Sequence, residues 1–176
     1  VHYSTDYVFD GSKDGVYTEE DEPAPLNVYG RTKLEGDRAI MESGCRHLIF
    51  RTSWVYAAHG RNFPATILEL ARREDHFAIV ADQFGSPTSV ELLSSATALA
   101  LNLALGSEKD LSGLYHLVAS GFVHWPEYAL YVVGKAIDLG WPLLATPEKI
   151  SPRPPDASGR PARRPAHSPL SPAQLT

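Results

Sequence analysis

The chain begins with a short apolar run that ends in two hydroxyl side chains, Ser4 and Thr5. A loop rich in glycine and proline follows, and a helical pattern starts near Asn27, a residue type that often caps helices. Strands that alternate with helices pack into α/β folds, in which ligands gather at the carboxyl ends of parallel strands. The sequence therefore predicts that Ser4 and Thr5 lie at the ligand-binding edge of a parallel sheet.

The alternation of strands and helices continues along the chain. Apolar runs predict further strands, and apolar residues at helical spacing predict further helices. The predicted strands cover residues 1–4, 47–50, 77–80 and 113–118, and the predicted helices cover 27–43, 63–73, 90–105 and 125–139. This order predicts an α/β protein that contains part of a Rossmann-like, doubly wound parallel sheet.

Tyr29 and Lys33 lie four residues apart on the first predicted helix, so their side chains share a face. A free tyrosine has a pKa near ~10, and a neighbouring ammonium favours the phenolate and lowers that pKa. The pair is therefore suited to donate and accept a proton. Together with Thr5, which is placed to hold a substrate oxygen, it predicts acid–base chemistry on a carbonyl/alcohol pair.

Composition excludes several classes of function. A formal net charge of −5 and the lack of a long basic run argue against nucleic acid as a partner. A single cysteine, Cys45, cannot form an internal disulfide, which predicts a cytoplasmic protein. The chain contains no apolar run of about 18 residues, so no membrane-spanning helix is expected.

Five segments carry a resemblance to a known enzyme family. They are STDYVFDG at 4–11, PLNVYGRTKLEG at 25–36, RTSWVY at 51–56, DQFGSPT at 82–88 and GLYHL at 113–117. Taken in order, they resemble the extended short-chain dehydrogenase/reductases, and among these the reductases of dTDP-L-rhamnose synthesis. The resemblance extends over residues 1–150.

The resemblance implies a nicotinamide cofactor, NADPH or NADH, and a catalytic set of Tyr29, Lys33 and Thr5. Tyr29 would protonate the developing alkoxide, Lys33 would also bind the nicotinamide ribose, and Thr5 would bind the carbonyl oxygen. We assign Ser4, together with Tyr29 and Lys33, to the cofactor side of the site. The sequence does not distinguish NADH from NADPH.

The resemblance also implies a substrate, a dTDP-4-dehydro-6-deoxy-L-sugar. Thr5, Asp6, Tyr7 and Trp54 are the residues that it places against this sugar nucleotide. Some family members carry a glutamate at the position of Glu91 that binds Mg²⁺ at a dimer contact. Glu91 is thus a candidate metal ligand, and a homodimer is a candidate assembly.

The glycine-rich turn that binds a dinucleotide pyrophosphate in Rossmann folds is missing from this sequence. We therefore expect residues 1–150 to be the catalytic and substrate-binding part of a longer reductase, unable to turn over substrate alone. Seven of the last 26 residues are proline, which predicts an extended or disordered tail at 151–176.

Two other classes of function stay open. Reductase-like regulatory subunits of methionine adenosyltransferase share the fold and bind a partner enzyme without catalysis. Nucleotide-sugar epimerases and dehydratases belong to the same extended family. In sugar dehydratases an Asp-Glu pair commonly follows the Ser/Thr, whereas Asp6 and Tyr7 follow Thr5 here, which favours a simple reductase.

Overall fold

The computed structural model describes residues 1–154 and 162–175 of the chain. Its strands are short, and most of them pair in parallel. They are β1 (His2–Thr5), β2 (Leu48–Thr52), β3 (Val55–Tyr56), β4 (Phe77–Val80), β5 (Phe84–Gly85), β6 (Thr88–Ser89), β7 (Gly113–His116), β8 (Val123–His124) and β9 (Ile150–Arg153).

Four α-helices are formed by the described residues. They are α1 (Val28–Glu42), α2 (Phe63–Arg73), α3 (Val90–Gly106) and α4 (Trp125–Asp138). None of these helices combines the length and the apolar character that a lipid bilayer requires of a spanning segment. Their positions agree with the helices that the apolar spacing predicted.

A three-stranded parallel sheet in the order β1-β2-β7 forms the centre of the fold. Thr5 pairs in register with Thr52, and Arg51 pairs with His116, so the carboxyl ends of the strands lie together. The predicted α/β architecture with parallel strands is therefore confirmed. β1 is an edge strand among the described residues, because it pairs with β2 alone.

Local sequence signals account for the start of α1. The Asn27 side chain accepts a hydrogen bond from the Gly30 amide at 2.8 Å, which caps the helix as predicted. Gly30 also allows this end of the helix to contact the turn after β1. A Cβ on Gly30 would lie 2.1 Å from the Tyr7 carbonyl oxygen, so a side chain at this position does not fit.

The described part of the proline-rich segment packs against the rest of the chain, whereas the prediction for 151–176 was an extended or disordered tail. Pro165, Ser168 and Leu170 are buried, and the Tyr17 amide donates to the carbonyl of Pro169 at 2.8 Å. Proline disfavours helices and strand interiors, although β9 includes Pro152, and an extended segment can be buried when neighbouring chain satisfies its polar groups. Residues 155–161 and 176, which the same prediction covered, lie outside the described residues.

Some strands have other boundaries than those predicted from the sequence. The strand predicted at 113–118 ends at His116, although Leu117 and Val118 are buried beyond it. Two short strands, β5 and β6, lie between the strand predicted at 77–80 and the helix predicted at 90–105. Strands of two residues leave no apolar periodicity in a sequence, so only tertiary pairing reveals them.

Replacing Gly30 with alanine is expected to lower the free energy of unfolding by about 1–3 kcal/mol, the usual cost of overpacking. The new methyl group would force the turn at Tyr7 away from α1. Gly36→Ala on the same helix is the matched control, since its nearest neighbour would be the His2 ring at 3.7 Å. This control should gain up to about 1 kcal/mol from helix propensity. Urea unfolding of both variants checks the prediction, and equal stabilities would contradict it.

Candidate active site

An open cleft of about 370 Å³ lies at the carboxyl ends of β1 and β2. The ends of both strands, the first turn of α1 and the first residue of α4 contribute to its walls. Its lining includes Ser4, Thr5, Asp6, Tyr7, Tyr29, Trp54 and Trp125. The structure therefore brings together all the predicted site residues except Lys33 and Glu91.

Tyr29 occupies the mouth of this cleft, on the first turn of α1, and its side chain is 54% exposed. The ring of Tyr7 contacts it edge-on, with ring centroids 5.8 Å apart and planes at 82°. This T-shaped arrangement is favourable for aromatic pairs and fixes the direction of the Tyr29 side chain. The phenol is thus both oriented and accessible to a ligand.

Lys33 lies one turn further along α1, but its ammonium group bonds to β1 rather than to the Tyr29 phenol. It donates to the Tyr3 carbonyl and lies 3.4 Å from Nε2 of His2. Sequence spacing predicted the shared helix face but not these strand acceptors, which belong to another element. The electrostatic effect of Lys33 on Tyr29 stays a prediction.

Ser4 and Thr5 are both buried, and their hydroxyl groups have different partners. The Ser4 hydroxyl donates to Asp37 Oδ2 at 2.9 Å beneath α1. Thr5 Oγ1 accepts a hydrogen bond from the Tyr7 amide at 3.2 Å and lies 3.2 Å from Asp6 Oδ1, to which it donates. Thr5 thus faces the cleft through a hydroxyl that is held in place from two sides.

The Asp6 carboxylate is buried in the protein interior, whereas the resemblance implies that Asp6 lies against the substrate. It accepts hydrogen bonds from the hydroxyl groups of Thr5, at 3.2 Å, and of Ser168, at 2.7 Å. Burial raises the pKa of Asp6 from 3.8 to about 6, while the hydrogen bonds from Ser168 and Thr5 oppose this rise. Asp6 therefore joins the C-terminal segment to the strand end that carries Thr5.

Asp6 and His116 should affect stability with opposite pH dependence. Between about pH 4 and pH 6 folded Asp6 binds a proton that the unfolded chain does not, so its contribution to stability falls as pH rises. Burial, with Arg51 nearby, lowers the pKa of His116 from 6.5 to about 4, so its contribution rises over a similar range. The two slopes largely cancel in the wild type.

Asp6→Asn should remove the contribution of Asp6, which falls as pH rises, and leave that of His116, which rises. From about pH 4.5 to pH 6.5, the unfolding free energy of the variant should therefore rise by about 2 kcal/mol more than that of the wild type. Urea titrations at both pH values measure this difference. Asp14→Asn, a change of an exposed aspartate, is the control and should follow the wild type. A slope in Asp6→Asn equal to that of the wild type would contradict the prediction.

Trp125, which was predicted only as the start of a helix, is a further residue of the cleft. Its indole stacks on that of Trp54, with ring centroids 3.5 Å apart and planes at 4°. Trp125 Nε1 donates to Gln83 Oε1 at 3.2 Å. Seventy-one positions separate the two tryptophans, so no local sequence signal could have indicated their contact.

Trp125 also borders a second cavity of about 390 Å³, which contains Arg153 and Arg164. A larger groove of about 970 Å³, lined by Glu91 and Trp141 among others, lies beside α2. In residues 1–154 and 162–175, no group of three or more His, Cys, Asp or Glu side chains could hold a metal ion. The described residues thus offer no complete ligand set around Glu91, and we do not propose a Mg²⁺ site there.

The whole chain, residues 1–176, matches the family described as the RmlD substrate binding domain. The chain belongs to this family. Similar curated proteins include the dTDP-4-dehydrorhamnose reductase of Escherichia coli K12, which is 50% identical over 171 residues. That alignment covers 97% of this chain and 56% of the relative. The reductase of Burkholderia thailandensis is 44% identical over 176 residues, with 97% and 58% covered.

Solved structures of the same kind of enzyme superpose well on this member of the RmlD family. The dTDP-4-dehydrorhamnose reductase of Bacillus anthracis in complex with NADP has a TM-score of 0.86 and 32% identity, and the match covers 99% of this chain and 57% of that one. A UDP-glucose 4-epimerase of Thermus thermophilus with NAD reaches a TM-score of 0.71 at 21% identity, a likeness in fold alone. The chain therefore spans little more than half the length of its relatives, and its fold is that of the predicted family.

Proposed function

We propose that this chain is the catalytic and substrate-binding part of an NADPH- or NADH-dependent reductase that converts dTDP-4-dehydro-L-rhamnose to dTDP-L-rhamnose. The observation that carries the proposal is the cleft in which Thr5, Tyr7, Tyr29 and Trp54 meet. Curated relatives with the name dTDP-4-dehydrorhamnose reductase, at up to 50% identity, support the choice of substrate.

Tyr29 is the proton donor in this proposal. Its phenol is exposed at the mouth of the cleft and is oriented by Tyr7, so it can approach the oxygen of a bound ketone. It donates its proton as negative charge develops on that oxygen, and general acid catalysis of this kind contributes roughly 10²–10⁴-fold. The Thr5 hydroxyl, which now donates to Asp6, turns toward the same oxygen and donates a hydrogen bond to it.

The nicotinamide would lie beside Tyr29 and Lys33, near β1. Lys33 brings a cationic donor to this place, and the half-exposed Tyr29 brings a hydroxyl. These two residues would hold the nicotinamide ribose, and a bound reduced nicotinamide supplies the hydride for C4 of the sugar. Ser4 would support the cofactor side of the site from beneath α1, because its hydroxyl donates to Asp37 on that helix.

The nucleotide part of the substrate fits the second cavity, which shares Trp125 with the cleft. Arg153 and Arg164 line that cavity, and guanidinium groups bind phosphate oxygens with two parallel hydrogen bonds. The diphosphate would therefore lie near these arginines while the keto sugar reaches Tyr29 and Trp54. Such a nucleotide-sugar substrate and the free, exposed Cys45 fit a cytoplasmic enzyme. The homodimer stays a prediction.

The test is an NADPH-consumption assay on the complete reading frame, with dTDP-4-dehydro-L-rhamnose generated in situ. We expect consumption that depends on the keto sugar, and the same assay with NADH establishes the cofactor preference. A reaction without the keto sugar is the control. A folded protein that binds NADPH but consumes none with this substrate would refute the proposal. It would favour a regulatory subunit or an epimerase or dehydratase.

A further inference from the structure

Trp54 has a backbone conformation that its own side chain does not favour. Its φ angle is 45°, and it is the single non-glycine residue with positive φ among residues 1–154 and 162–175. Bulky side chains rarely adopt this region, and strain of this kind persists where the surrounding structure holds the residue and often marks a functional site. The Thr88 amide donates to the Trp54 carbonyl at 3.3 Å, which holds the strained backbone in place.

Both faces of the Trp54 indole are covered. Trp125 lies parallel to one face, with ring centroids 3.5 Å apart. A Cβ on Gly85 would lie 2.4 Å from Cε2 and 2.5 Å from Nε1 of Trp54, so the Gly85 backbone lies directly against the indole. The rings of Trp54 and Trp125 are too close together for a Cβ to lie between them. Gly85 therefore covers the face of Trp54 opposite to Trp125. Trp54 can therefore present only an edge to the cleft.

Trp125 is itself held from several directions. Its Nε1 donates to Gln83, and the ring of Phe63 packs on it with centroids 4.0 Å apart. β5 pairs with β8 in antiparallel register, Gly85 opposite Val123, which brings Gly85 and the start of α4 to the same part of the cleft. Aromatic rings prefer offset or edge-on contacts to complete face-to-face overlap. The overlap of Trp54 and Trp125 is thus imposed by these neighbours.

We propose that Trp125 and Gly85 are positioning residues, which hold Trp54 so that the keto sugar binds against a fixed indole edge. The inference rests on the proposed function, since it concerns how the same cleft orients its sugar. An edge offers polarised C–H groups, or the N–H donor, in place of a flat apolar face. A sugar ring that binds against it has fewer orientations open to it than one that slides over a ring face. The fixed edge therefore determines which face of the ketone is available to the hydride donor.

The experiment uses the full-length enzyme and the variants Trp125→Leu and Trp125→Phe. We expect Trp125→Leu to weaken binding of dTDP-L-rhamnose, measured by calorimetry, and to raise KM for the keto sugar, each by about tenfold. Affinity for NADPH should not change. Trp125→Phe retains a ring against Trp54 and should recover most of the loss. Trp141→Phe, at an exposed tryptophan outside the cleft, is the matched control and should equal the wild type.

Circular dichroism reports on the stack itself, since two closely stacked indoles give an exciton signal in the far ultraviolet. Both Trp125 variants should lose this signal, and Trp141→Phe should retain it. A folded Trp125→Leu variant without the signal, but with affinity and KM within about twofold of the wild type, would overturn the inference. If Trp125→Leu does not fold, Gly85→Ala tests the other face of Trp54. Unchanged binding of dTDP-L-rhamnose by that variant would also overturn the inference.

Binding and turnover separate this inference from the proposed function. A wild type that binds dTDP-L-rhamnose but does not reduce the keto sugar would refute the reductase proposal. Weaker binding by Trp125→Leu would then still support the positioning role. A wild type that binds no dTDP-sugar would overturn the inference as well.

Discussion

Replacing Tyr29 with phenylalanine in the full-length enzyme is expected to lower kcat for the keto sugar by roughly 10²–10⁴-fold, because the ketone oxygen loses its proton donor. The change removes one oxygen atom and leaves the edge-on contact with the Tyr7 ring in place. Folding should therefore be retained, and NADPH should still bind, because Lys33 continues to hold the ribose. Stopped-flow NADPH oxidation gives kcat, and fluorescence titration gives the dissociation constant for NADPH.

Tyr131→Phe is the control for the Tyr29 variant. Tyr131 is 62% exposed on α4 and does not line the cleft, so its hydroxyl group should have no effect on turnover. If Tyr29→Phe turns over at the wild-type rate, Tyr29 is not the acid, and the proton must come from another group or from water. A variant that loses NADPH binding together with turnover would instead indicate that Tyr29 acts mainly by holding the cofactor.

Replacing Asp37 with alanine is expected to lower the free energy of unfolding by about 3–5 kcal/mol. Asp37 is fully buried beneath the strand end that carries Ser4, and its Oδ2 lies 3.3 Å from Nε of the buried Arg51. Burial lowers the pKa of Arg51 while Asp37 opposes that effect, so removal of the carboxylate leaves a guanidinium group without its partner. The Ser4 hydroxyl loses its acceptor as well.

Glu35→Ala on the exposed face of the same helix is the control for Asp37 and should change stability by no more than about 0.5 kcal/mol. The double variant Asp37→Leu/Arg51→Met should recover part of the loss, because it removes both charges together. Guanidinium chloride denaturation measures all three variants. A loss below about 1 kcal/mol in Asp37→Ala would mean that water reaches Arg51 and replaces the carboxylate.

The sequence was most informative where structure depends on neighbours along the chain. Asn27 as a cap, the limits of α2 and the strand at 77–80 all follow from local patterns, and the structure confirms them. Thr5 and Tyr29 were also placed at one site, because parallel strands end on the same side and because the motifs resemble a known family.

The sequence was least informative where contacts join distant parts of the chain. Lys33 donates to the Tyr3 carbonyl, Ser168 donates to Asp6, and Trp54 stacks on Trp125, and no periodicity encodes any of these pairs. The prolines after position 150 predicted an extended or disordered segment, and the longest helix among its described residues is the single turn at Ala173–Leu175. They gave no information about whether it is buried, because burial depends on the surface that the rest of the protein offers to it.

The contact between Asp6 and Ser168 has a consequence for biosynthesis. The two residues are 162 positions apart, and the pairing of Tyr17 with Leu170 spans nearly the same distance. Closing so long a loop is slow compared with forming a helix, and it cannot begin until both partners have been translated. The strand that carries Thr5 leaves the ribosome well before Ser168 does, so Asp6 receives its hydrogen bond from Ser168 only after 162 further residues have been added. Truncation by a premature stop codon before residue 168 would therefore leave a buried carboxylate without that partner, even with every proposed catalytic residue present.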